Sequence, residues 1–75
     1  MPRIEKMYAF VAEDSGPDDE GIVAMQVGDV MIPMVGADMA RVESLRPIAR
    51  AISRRTRKEI KLIHFTQRED LGAVR

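Results

Sequence analysis

Ile22-Val23-Ala24-Met25-Gln26-Val27-Gly28-Asp29-Val30-Met31-Ile32-Pro33-Met34-Val35 decides the fold. Two apolar runs, Ile22–Val27 and Val30–Val35, flank a Gly-Asp pair, the sequence pattern of a hairpin with a two-residue turn. That turn length fixes the register. Val27 faces Val30, Met25 faces Ile32 and Val23 faces Met34, so one side of the hairpin is wholly apolar and is expected to pack on the core. Pro33 falls opposite Ala24 at a non-hydrogen-bonded pair, its missing N–H turned away from the neighbouring strand. Proline is tolerated there when its strand is an edge, and it blunts that edge against other chains.

Upstream, Met7-Tyr8-Ala9-Phe10-Val11-Ala12 is continuously apolar, as expected of a strand covered on both faces. Between it and the hairpin, Glu13 to Gly21 holds five acids and a Gly-Pro pair, the composition of a solvated loop. Downstream, from Asp38 to about Lys58, the period becomes helical: Val42, Leu45, Ile48, Ala49 and Ile52 form one apolar stripe. Asp38 is placed to cap a helix starting near residue 39, with a disturbance expected around Glu43–Pro47; the competing start is Ser44 as N-cap, with Pro47 in the first turn. Ile60–Thr66 is a fourth strand. Thr66-Gln67-Arg68-Glu69 has capping-box spacing, from which a short C-terminal helix could start.

The expected architecture is thus α+β, in the order β-β-β-α-β, as one small domain over residues 1–75. A meander followed by a right-handed helical crossover sets the fourth strand beside and parallel to the first, giving a four-stranded mixed sheet of order 3-2-1-4 with the helix on one face. This element order, with Asp19-Glu20-Gly21 before the second strand, resembles HicB-type antitoxins over residues 7–66. The Pro-Asp-Leu-Pro-Gly-like segment of that family is replaced here by Met34-Val35-Gly36-Ala37-Asp38, and its C-terminal DNA-binding element is missing.

Composition bounds the function. The 75 residues hold 12 basic and 12 acidic side chains, so net charge is zero, but the signs are segregated. Residues 1–40 carry two basic against eight acidic side chains, and residues 41–75 carry ten against four. The acids gather in one loop and the strand ends, the bases on the outer face of one helix, so a molecular dipole is expected rather than a uniformly basic surface. There is no cysteine, which removes disulfides and thiolate chemistry and is compatible with a cytoplasmic location. No apolar run reaches the roughly 18–20 residues a membrane span needs, and no secretory leader is expected at the N-terminus. The six methionines suit flexible core filling better than a partner groove.

Arg46, Arg50, Arg54, Arg57 and Lys58 form the candidate binding surface. At helical spacing they make a cationic stripe able to grip phosphates, although no aromatics interleave it for base stacking. The simpler account is a solvated helix face whose cations also suit the helix C-terminus. Asp14, Asp18, Asp19 and Glu20 could offer oxygen ligands to a calcium-like ion. An EF-hand register with Gly21 sixth, however, puts Gly16 at the first position and Val27 at the twelfth, where carboxylates are required. His64 is the single histidine, and Ser15, Ser44 and Ser53 the only serines; none has a catalytic motif around it. No metal or cofactor is expected. A non-enzymatic interaction module follows, as a homodimer or as a subunit docking a protein partner. Phosphate-backbone binding through the basic helix is the less favoured alternative.

Overall fold

The computed structural model describes residues 3–74. Six strands and one helix follow in the order β1 (Met7–Gly16), β2 (Asp19–Ile22), β3 (Ala24–Val27), β4 (Val30–Pro33), β5 (Val35–Gly36), α1 (Met39–Thr56) and β6 (Ile60–Phe65). This is a small α+β fold with one helix on one face of its sheet. β1 is the spine. β6 lies along one of its edges, and β2 and β5 share the other, end to end.

The β3–β4 hairpin has the register its turn dictates, with Val27 opposite Val30, Met25 opposite Ile32 and Ala24 opposite Pro33. Gly28 takes φ +61° while Asp29 stays outside the left-handed region, the pattern of a type II′ turn. At the base of the hairpin the pairing opens. Val23 and Met34 would ordinarily exchange two hydrogen bonds. Here the Met34 N–H donates to the Val23 carbonyl (2.8 Å), and Phe10 inserts into the other half of the pair. The Val23 N–H donates to the Phe10 carbonyl (2.8 Å), and the Phe10 N–H donates to the Met34 carbonyl (3.1 Å). Three backbone segments therefore meet in a closed ring of donors and acceptors.

That junction corrects the expected topology. The neighbours implied by order 3-2-1-4 are present, but the second run divides at Val23 between β1 and β4, and the third divides at Met34 between β3 and β1. Because β5 returns to run antiparallel to β1, the helix carries the chain back before β6 begins. β6 is then antiparallel to β1, with Met7 opposite Phe65 and Ala12 opposite Ile60. Every strand pair is antiparallel; the sheet is not mixed.

Two further expectations change. The acidic segment is not a loop: β1 runs on to Gly16, Pro17-Asp18 turn, and β2 pairs back through Glu13–Glu20 and Gly16–Asp19, with a bulge between Glu13 and Gly16. Its turn is tied by the Ser15 hydroxyl donating to Asp19 Oδ2 (2.6 Å). The C-terminal helix does not form. Residues 66–74 lack regular structure, and the Gly72 N–H donates to Asp70 Oδ1 (2.9 Å) in a local turn instead. Four residues of capping-box spacing cannot offset the cost of nucleating a helix when the residues that follow pack nowhere: Leu71 and Val74 lie in solvent.

The helix begins where the sequence places it. Asp38 is the N-cap, accepting from the Arg41 N–H (2.9 Å), and the helix runs unbroken through Pro47 to a left-handed C-cap at Arg57 (φ 59°). Pro47 and Glu43, whose carbonyl loses its usual N–H partner to the proline, are both on the exposed side of the helix. Val42, Leu45 and Ala49 are buried against Tyr8, Phe10 and Met34, with Ile52, Ile60 and Leu62 around them. Ile48, expected in the stripe, lies outside it and is exposed. The apolar face of the hairpin belongs to the core only at its base: Met34 is buried, Val23, Met25 and Ile32 are half-buried, and Val27 and Val30 at the tip are exposed. Gly36 lies under the start of α1. A Cβ there would meet Arg41 Cγ at 2.8 Å, so glycine is what lets the helix close onto β5. No helix is long and apolar enough to cross a membrane among the described residues.

Met34 contributes both to the ring of hydrogen bonds and to the centre of the core. Met34→Ala is expected to lower unfolding free energy by about 2–5 kcal/mol, whereas Pro33→Ala next to it costs at most about 1 kcal/mol. Urea unfolding followed by circular dichroism of the two variants checks this contrast.

Candidate functional site

Two surfaces stand out: the basic side of α1 and the sheet face turned away from it. The five residues expected to bind as a stripe do not act as one. Arg46 is held by Glu43, with Nη2 at 3.1 Å from Oε1 and Nε at 3.3 Å from Oε2. Lys58 Nζ contacts Asp14 Oδ1 at 2.8 Å. Arg57 takes the left-handed cap, its backbone N–H on the Ser53 carbonyl (2.8 Å), and its side chain is left exposed. Arg50, Arg54 and Arg57 are exposed and have no carboxylate partner among the described residues.

The contact between Lys58 and Asp14 alters the expected dipole. Antiparallel pairing sets the start of β6 beside the acidic end of β1, with Lys61 opposite Val11. Lys61 Nζ thereby comes within 3.6 Å of Glu13 Oε1. The two charged halves touch at this end of the molecule rather than occupying separate surfaces. The local cation excess is partly cancelled where the stripe is densest in sequence, and a phosphate approaching Lys58 would first meet Asp14.

Among the described residues the serines and the histidine do not converge. The three serine hydroxyls are committed to Asp19 Oδ2 and to the carbonyls of Arg41 and Lys58. His64 stacks on Tyr8, with ring centroids 4.5 Å apart and planes 8° from parallel. Among the described residues no three of His, Asp or Glu converge as metal ligands, so the acidic hairpin presents no cation cage. No buried side-chain polar atom is left unpaired among them either.

The second surface was not singled out from sequence. Tyr8, Phe10 and Ala12 point toward the helix with their partners His64, Leu62 and Ile60. The alternate residues of β1 therefore point the other way, and cross-strand pairing aligns them in rows: Met7 with Phe65, Ala9 with Val35 and Ile63, and Val11 with Ile22, this last row ending on Lys61. No helix covers these rows. Ala9 and Val11, small and central, are buried by their neighbours, while Met7, Ile22 and Phe65 are 41, 54 and 50% exposed. The segments before β1 and after β6 rim the face and leave a groove of about 680 Å³ floored by Met7, Ala9, Ile22, Val35 and Phe65. Of the methionines expected as core filler, Met34 is fully buried, Met25 half-buried, Met7, Met31 and Met39 are exposed, and Met1 lies outside the described residues. The signal was present in the sequence: Met7–Ala12 is apolar at both parities, but the chain has one helix to cover one face.

The chain matches no family model, no curated protein and no solved structure, so its likeness in element order to HicB-type antitoxins carries no activity or residue role over.

The Lys58–Asp14 and Lys61–Glu13 pairs are largely exposed, and such pairs contribute about 0–1 kcal/mol each. Replacing Glu13 and Asp14 together by serine is expected to leave urea stability within about 1–2 kcal/mol. Retention on a heparin column should lengthen, because two lysines are uncovered; unchanged retention would mean that the acids do not mask them.

Proposed function

We propose that this protein is a non-enzymatic interaction module that works as a homodimer, two copies stacking their open sheet faces about a two-fold axis. The observation that carries this reading is the apolar underside of β1. Its rows Met7–Phe65, Ala9–Val35 and Val11–Ile22 are built as a core layer and lack a second layer. Sheets pack face to face at about 10 Å when each offers such an inner surface.

Size favours a second copy as the occupant. Ile4 on the rim is 62% exposed. Together with Met7, Ile22 and Phe65 it leaves on the order of 400 Å² of apolar surface per copy, counting about 200 Å² for each large side chain. That is the scale of patch that marks an interaction site on a monomer. Two such faces and their rims reach the roughly 1,000–1,200 Å² at which specific association begins. Charge is compatible with antiparallel stacking. One end of the face is rimmed by Arg3, Glu5, Lys6, Arg68 and Glu69, the other by Glu13, Glu20 and Lys61, so both ends carry mixed charge, with a small excess of opposite sign that antiparallel stacking sets together. A short chain with one thin core also gains most from a shared second one. The lack of cysteine accords with work in the reducing cytoplasm.

Size-exclusion chromatography with light scattering at 10–200 µM, roughly the range in which a modest interface populates, is expected to give twice the chain mass. Phe65→Glu should weaken the dimer at least tenfold, and Met31→Glu on the hairpin should not. A strict monomer across that range would overturn the reading, as would a dimer indifferent to Phe65→Glu.

A further inference from the structure

Among the described residues the outer edge of β6 is the longest strand edge left bare on one side, and it is differently made from the other edges. β4 is four residues long and carries Pro33, and β2 is a short acidic strand beside a bulge. β6 is six residues, Ile60-Lys61-Leu62-Ile63-His64-Phe65, without proline, glycine or bulge. The direction of its backbone groups follows from the junction at Phe10. Phe10 turns its N–H and carbonyl toward Val23 and Met34, on the β2 and β5 side. Alternation then turns those of Met7, Ala9 and Val11 toward β6, where they meet Phe65, Ile63 and Lys61. The N–H and carbonyl groups of Ile60, Leu62 and His64 consequently face outward. Among the described residues no backbone group pairs with them.

Beside this edge, on the helix face, runs a shallow groove of about 190 Å³. Phe10, Ile60 and Leu62 form its floor, and Arg46 and Arg50 its helical wall. Arg50 has no carboxylate partner among the described residues, and Arg54 continues the positive wall one turn further. The underside of the same edge presents Lys61, Ile63 and Phe65.

We infer that β6 is a docking edge for an extended acidic segment of a partner protein, which adds to the sheet as a further strand. Main-chain bonds to Ile60, Leu62 and His64 supply affinity, and alternate side chains supply choice. Those on the helix side are acidic: their methylenes lie on Ile60 and Leu62 and their carboxylates reach Arg50. Those on the underside are apolar and extend the row of Ile63 and Phe65. Charge complementarity favours this occupant over a second copy of β6, whose pairing across a two-fold axis would set Arg50 near its own symmetry mate. This edge shares Ile63 and Phe65 with the open sheet face, but its outward backbone groups and Arg50 lie outside that face. Phe65→Glu therefore reports on the dimer, while Arg50→Glu and the exchange at Leu62 and His64 report on the edge.

The test uses a fluorescein-labelled heptapeptide alternating valine and glutamate, a matched peptide with lysine for glutamate, and a twelve-base single-stranded DNA, each titrated into the intact protein at low salt. The glutamate peptide is expected to bind at least tenfold more tightly than the lysine peptide and to lose about tenfold with Arg50→Glu. Amide exchange at Leu62 and His64 should slow at least tenfold on binding, while Lys61 and Ile63, already bonded to β1, stay unchanged. His64→Pro removes an outward N–H while sparing the β1 ladder. It should abolish binding with the circular dichroism spectrum retained; if that variant does not fold, the exchange pattern of the wild-type protein decides. Equal affinity for both peptides would overturn the proposal. Exchange protection at Met7 and Ala9 in place of Leu62 and His64 would do the same, as would Arg50-dependent binding of the DNA alone.

Discussion

The fold hangs on the ring of three backbone hydrogen bonds joining Phe10, Val23 and Met34. Each residue donates to the next, so no member can leave without stranding a donor and an acceptor in the interior, where the unmet desolvation cost is about 1–3 kcal/mol per group. The side chains enforce the same meeting. Phe10 and Met34 are almost wholly buried, and Val23 packs against them. The ring decides direction: it lets the hairpin stand out from the sheet and returns the chain to β1 as β5. Helix α1 and β6 then follow with no remaining freedom of sense, because a helix reverses the chain once.

Direction in turn arranges the charge. With β6 antiparallel, residues 58–61 arrive beside Ala12, Glu13 and Asp14; a parallel β6 would have set them at the Met7 end and left the acidic hairpin alone. The contacts of Lys58 with Asp14 and Lys61 with Glu13 are thus consequences of topology rather than of any local signal. They also divide the basic stripe. Lys58 is matched by Asp14 and Arg46 is held by Glu43, so the unmatched charge of the stripe lies at Arg50, Arg54 and Arg57.

Local signals were legible where the responsible atoms are adjacent in the chain. Gly28-Asp29 fixed the hairpin register to the residue, Asp38 marked the helix start, and the period of Val42, Leu45 and Ala49 marked its buried side. The continuous apolar run at Met7–Ala12 marked the central strand. Illegible were features set by non-local pairing. Nothing local says that a strand divides at Val23 because Phe10 enters its ladder, and this one event reversed the predicted sense of the last strand. The acidic segment read as a loop because its side chains are all solvated, but an exposed hairpin needs only backbone pairing and a turn, and Pro17-Asp18 provides the turn. At Thr66-Gln67-Arg68-Glu69 the reverse held: a local helix signal found no surface to pack on. The basic helix was overvalued as a site because sequence displays its charges and hides their partners, while the open face was missed because its rows come from four different strands.

A sheet of this size with one helix has three ways to meet its surroundings: the uncovered face, the outer edges, and the helix surface. Two of its edges carry devices that discourage pairing, Pro33 on β4 and the bulge and charge of the β1–β2 hairpin. The uncovered face and the β6 edge carry none. Lys61 is the one charged side chain in β6, and Glu13 holds it from across the sheet, so it guards the edge less than a free lysine would. Protection is selective rather than absent: Pro33 and the acidic, bulged hairpin shield two edges, and the β6 edge is left bare beside Arg50. Part of the charge segregation along the chain is met by this topology: Lys58 and Lys61 reach Asp14 and Glu13 across the β1–β6 pairing, while Arg50 stands without a carboxylate partner among the described residues in the wall of the groove beside the β6 edge.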